Sequence, residues 1–228
     1  FNSNHKYFLM NTISARLVFE NVVANIMRNF ANEPNFDINN FRLTMSTIRL
    51  ESALIAANTN FNFQLLANQA QPAIFPTEKR LNLQDSMIPS EVGFFVALTT
   101  GATDTAYRLQ SYLNPFIFTN AAAMQALYNG SLFIAVNQVI VLKDWDLWRH
   151  WKANQTQQTA AAGAGSPIDQ QDLSTDGFYP MEPNVSLVGS MNYNINIALP
   201  GAMATVDANS RGILMFRGIL AQNSTVVS

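Results

Sequence analysis

Tyr193-Asn194-Ile195-Asn196-Ile197-Ala198-Leu199 alternates large apolar side chains with amides or a small residue, one step at a time. Successive side chains of a β-strand point to opposite faces, so this period of two marks a strand with one buried face and one wet face. Pro200 and Gly201 follow at once and stop it. The wet face carries amides where most proteins carry charges, and that choice recurs along the whole chain.

The same period appears on both sides of this stretch. Phe61, Phe63 and Leu65 alternate with Asn62 and Gln64. From Phe41, Leu43 and Met45 alternate with Arg42, Thr44 and Ser46; the phase slips near Thr47 before Ile48 and Leu50 continue, which predicts a bulge or bend there. Val92 to Leu98 reads as a buried strand, Asn114 to Thr119 as a shorter one, Val185 to Val188 as another, and Gly212 to Leu220 as the last. Ser131 to Val136 and Val139 to Leu142 flank Asn137-Gln138, as a hairpin or as one long strand.

Two helices are predicted. Ala15, Val18, Phe19, Val22, Val23, Ile26, Met27 and Phe30 fall at i, i+3, i+4, i+7 spacing, with Thr12 or Ser14 as cap and Pro34 beyond the end. Its apolar stripe, with Phe19, Val22, Val23, Ile26 and Phe30, makes it a packing helix for the chain's own sheet or for a neighbour. Asn120 caps a short second helix that runs through Tyr128 and closes at Asn129-Gly130. Many short strands and few helices predict a mainly β fold, an antiparallel sandwich or barrel rather than a parallel βαβ sheet. Residues 1–11 read as an arm. Residues 12–228 read as one β-rich domain carrying a low-complexity, flexible loop at 153–176, with Gln-Thr-Gln-Gln-Thr and Ala-Ala-Ala-Gly-Ala-Gly-Ser-Pro.

Only 12% of the 228 residues are charged, about half the usual quarter. Asn (26) and Gln (13) together outnumber the 28 charged side chains. Amides donate and accept hydrogen bonds and cost less than charges to desolvate. Charge-poor surface is what the cores of subunit contacts prefer. The net charge of −2 and the lack of a basic stripe give no footprint for nucleic acid. Cys is absent, so disulfides and Cys-based chemistry are excluded. No apolar run reaches the ~18 residues of a membrane-spanning helix.

The chemistry-bearing candidates concentrate in Lys143-Asp-Trp-Asp-Leu-Trp-Arg-His-Trp-Lys152, which holds all three Trp residues. Asp144, Asp146 and His150 would share one face of an extended strand and could hold a metal there. The spacing matches no recognised ligand pattern. Trp145, Trp148 and Trp151 read first as anchors of a sheet end or a subunit contact, and second as a platform for a ligand. His5 lies in the arm. No Walker A, Rossmann, Gly-x-Ser-x-Gly or His-Glu-x-x-His motif is present, and the carboxylates are scattered. No enzyme, cofactor or metal is therefore expected.

Asn194-Ile-Asn-Ile-Ala-Leu-Pro200, Arg211-Gly-Ile-Leu-Met-Phe-Arg-Gly218 and Pro89-Ser-Glu-Val-Gly-Phe-Phe-Val-Ala97 resemble strand segments of virion structural proteins. With the amide-rich surface and the arm, the chain is similar to bacteriophage capsid proteins of the jelly-roll kind. The resemblance implies a β-sandwich repeated in a closed shell, located in the virion, with copies of itself and other virion proteins as partners. A compact form of the tailed-phage shell fold is the alternative, since the length is generous for one jelly roll and short for two. The functional expectation is a self-assembling structural subunit; a spike, fibre or lectin-like binding module is the other reading.

Overall fold

The computed structural model describes residues 20, 24, 42–69, 75–99, 101, 103–107, 109, 121–151, 177–181, 185–204 and 209–224. The predicted arm, the strand at 114–119 and the low-complexity loop lie outside these residues. So does the packing helix, of which only Glu20 and Ala24 are described, both exposed.

The described elements run β1 (Arg42–Ala53), β2 (Asn60–Phe63), β3 (Ser86–Leu98), helix α1 (Ala121–Tyr128), β4 (Ser131–Val136), β5 (Val139–Asp146), a 3-10 turn (Leu147–His150), β6 (Phe178–Pro180), β7 (Leu187–Val188), β8 (Tyr193–Ala198) and β9 (Ser210–Gln222). They form two sheets. One has the order β1-β9-β3-β6, with β7 also on β3; the other has the order β2-β8-β4-β5. Every pair is antiparallel. The pairs nest: β1 takes β9, β2 takes β8, β3 takes β6 and β7, and β4 takes its neighbour β5. The chain is mainly β, as its periods predict.

Both sheets feed one core. Leu50, Phe94 and Phe216 come from the first, and Phe61, Leu132 and Ile195 from the second. Tyr193, Ile195, Ile197 and Leu199 are all buried, while Asn194 is exposed and Asn196 partly so. The first sheet is also covered on its other face, where Phe95, Ala97, Phe178 and Ile213 make a second cluster with Tyr107, Leu109 and Met215 against it. That double burial explains why β3 and β9 read as nearly continuous apolar runs.

Of the bulge or bend predicted near Thr47, the strand pairing shows no bulge. The β1–β9 register runs unbroken from Arg42↔Gln222 to Ala53↔Arg211. The apolar phase slips because Leu43 and Met45 belong to the opposite face from Ile48 and Leu50. Met45 is 61% exposed. The register break lies in β3, between Pro89 and Glu91, where a proline lacks the N–H for a regular ladder. Gly218 faces it; a Cβ there would meet the Ile88 carbonyl oxygen at 2.1 Å.

Asn137-Gln138 is a hairpin turn. Its φ angles are 47° and 69°, both left-handed, as a two-residue turn of the twist-matching type requires. At the end of α1, the Asn129 and Gly130 N–H groups donate back to Ala126 and Leu127, closing the helix. Among the described residues no helix is long and apolar enough to cross a membrane.

Candidate functional site

The Trp segment forms the end of β5 and the turn after it. β5 is paired irregularly with β4, with register shifts between Leu132 and Ile134 and between Ile134 and Ala135. Asp144 absorbs one irregularity with a left-handed φ of 55°. Asp146 then caps the turn: its Oδ1 accepts from the Trp148 N–H at 3.0 Å. The Leu147 N–H donates to the Gly130 carbonyl at 3.0 Å, which ties the turn to the end of α1.

The three Trp residues have different fates. Trp145 is buried, and its Nε1–H donates to His150 Nε2 at 3.0 Å. His150 Nδ1 lies 2.9 Å from the Gly177 carbonyl oxygen. A carbonyl only accepts, so Nδ1 carries the proton and Nε2 is the acceptor. Both ring nitrogens are thus spent within the fold. Burial pushes the His150 pKa down from 6.5 to about 4, against the Gly177 bond that favours the cation.

Trp151 packs edge-on against buried Tyr128 at 5.0 Å, and Tyr128 packs edge-on against Phe94 at 5.6 Å. Trp148 stacks on Trp151 with centroids 5.4 Å apart and planes 10° from parallel. A line of rings therefore leads from the core to the surface, where Trp148 is 48% exposed. Beside it the Arg149 guanidinium lies 4.4 Å from the Trp145 ring and 5.9 Å from the Tyr179 ring. Tyr179 is also exposed, so Trp148, Arg149 and Tyr179 present an aromatic and cationic surface at this end. Rings of this kind bury much apolar area with little entropy to lose, the profile of a contact anchor.

The metal reading of Asp144, Asp146 and His150 is not realised. Asp146 is engaged as a cap, His150 has no free nitrogen, and Asp144 is exposed beside Lys143 at 3.8 Å. The left-handed Asp144 breaks the extended geometry that would have aligned the three. Among the described residues no group of His, Cys, Asp or Glu is arranged to hold a metal.

Sequence reasoning missed a second cluster. Glu51 is fully buried on the outer face of β1. Its carboxylate accepts from Arg211 Nη1 and Arg49 Nε, each at 2.9 Å, from the Tyr107 hydroxyl at 2.6 Å, and from Thr77. Arg211, almost fully buried, also donates to the Gly101 carbonyl at 2.6 Å and lies 4.2 Å from the Phe75 ring. Burial alone would raise the Glu51 pKa. The hydrogen bonds from Thr77, Tyr107 and Arg211 and the charge of Arg49 outweigh it and hold the carboxyl below its ordinary value. Neighbouring Glu78 accepts from the Glu51 and Phe75 N–H groups and pairs with Arg80 at 2.9 Å. Every acceptor here is occupied, so this constellation fastens the segments around Thr77 and Tyr107 to the sheet. No local pattern signals it, because Glu51 and Arg211 are 160 residues apart.

An open groove is lined by Asn68, Asn82, Gln84, Asp85, Gln222 and Asn223. Asp85 spends its carboxylate on Asn82 and on the Asn223 N–H, which again serves the fold. No family model, curated protein or solved structure matches the chain.

Proposed function

We propose that the chain is a structural subunit of a virus particle, a jelly-roll sandwich that assembles with copies of itself. The observation that carries this reading is the nested strand pairing. With β6 and β7 taken as two pieces of one strand along β3, the order is that of a hairpin rolled on itself, first strand against last and the fourth against the fifth. That order supports a jelly roll, an architecture common among capsid and lectin domains. The amide-rich, charge-poor surface supports assembly, because it can be buried against a neighbour at low desolvation cost.

Sedimentation velocity of the purified chain tests the reading. Large species should grow with concentration as many weak contacts act together. A single monomeric boundary at every concentration would overturn it.

A second reading has one observation in its favour, the exposed Trp148 beside Arg149 and Tyr179. In a spike or lectin-like module these side chains would hold a ligand. Trp148→Ala would then abolish ligand binding and leave assembly intact; a variant that loses both, or neither, rejects this reading.

A further inference from the structure

Among the described strands β1 lies at the end of its sheet, with β9 on one side only. On the other side, Arg49 exchanges both backbone hydrogen bonds with Lys79, at 2.9 and 2.8 Å, and the Glu51 N–H donates to Glu78. Backbone groups alternate along a strand. In the unbroken β1, the N–H and C=O of Leu43, Met45 and Thr47 therefore point outward as well. Among the described residues they meet no partner.

Sheet edges are usually blunted by charges, prolines, bulges or a covering element. β5, at the edge of the second sheet, has such protection: two register shifts, a left-handed Asp144, and exposed Lys143 and Asp144. From Leu43 to Ile48, β1 has none among the described residues. There is no charge, no proline, no glycine and no register break.

We propose that this half of β1 pairs antiparallel with the same strand of a second copy, across a two-fold axis at Met45. The open groups are centred on Met45, with Leu43 before it and Thr47 after it, and Lys79 closes the window at Arg49. Pairing about Met45 sets Leu43 opposite Thr47 of the copy and satisfies every outward group in the window. Arg42 falls opposite Ile48 of the copy, so no like charges face one another. On the outer face, exposed Met45 meets Met45 of the copy, flanked by Leu43 and Thr47. On the other face Thr44 meets Ser46, a favourable hydroxyl pair. The contact is isologous, as a two-fold requires. One strand pair buries less than the ~1,000 Å² of a stable interface, so the contact is weak alone and gains from repetition. The inference names a partner surface for the assembly reading and rests on that reading for its biological setting.

The chain has no Cys, so Met45→Cys introduces a single thiol. Paired residues of this kind have Cα atoms about 5.5 Å apart, within the ~4.4–6.8 Å range of disulfides. Under mild oxidation Met45→Cys should give a covalent dimer about tenfold or more faster than Val139→Cys, which is just as exposed but lies elsewhere. Met45→Lys should reduce self-association and leave the unfolding midpoint unchanged. If Met45→Cys cross-links no faster than Val139→Cys while circular dichroism shows native strand content, the pairing is wrong. Particles that form with Met45→Cys uncross-linked overturn the pairing and leave the shell reading standing. A fast covalent dimer in a chain that builds no particles does the reverse.

Discussion

His150 is held neutral by its surroundings, and that has a pH consequence. Its folded pKa of about 4 lies below the ordinary 6.5. Its contribution to stability is therefore complete above pH 6.5 and is lost as pH falls toward about 4. The difference corresponds to roughly 3 kcal/mol. Urea unfolding followed from pH 7 downward should show this loss, and His150→Gln should flatten the slope in that window. A slope unchanged by the substitution would contradict the assignment. Glu51 acts through charge. Glu51→Gln leaves Arg211 buried beside a neutral group and should cost about 3–5 kcal/mol at pH 7, read from the same unfolding curves. Its lowered pKa means that the wild-type contribution is present above pH 4.5 and declines below it.

The β4–β5 hairpin shows how an element can be legible while its details are not. Its strands were readable from the apolar runs on either side of Asn137-Gln138, but those residues do not decide between a turn and a continuous strand. The fold does, by placing both in left-handed backbone. Gln138 bears that conformation, with φ of 69°, at a cost glycine does not share. Gln138→Gly should raise stability by about 0.5–1 kcal/mol, measured by thermal unfolding; a loss would mean that the turn is not under this strain. β1 misled for a related reason. Alternation reports which side chains are apolar, and Met45 is apolar yet exposed, so a regular strand looked like a bulged one. The Trp segment was visible as a cluster because its residues are adjacent. The roles within it were not, because they depend on Gly177, 27 residues from His150, and on the ring of Tyr128.

For the molecule as a whole, β class and the absence of local catalytic motifs were legible in periods and composition. The nesting of strands was not, since it joins Arg42 to Gln222 and Phe63 to Ile195 by contacts no local pattern encodes. The same holds for the Glu51–Arg211 ion pair. What composition did convey is the surface: amides in place of charge, suited to burial against neighbours. The proposed shell subunit joins that surface to the nested sheets, and its central claim is repetition on a lattice. Electron microscopy of the purified, concentrated chain tests that claim most directly. Closed particles or ordered arrays with one repeating unit are expected; a field of separate monomers at every concentration would rule the shell subunit out.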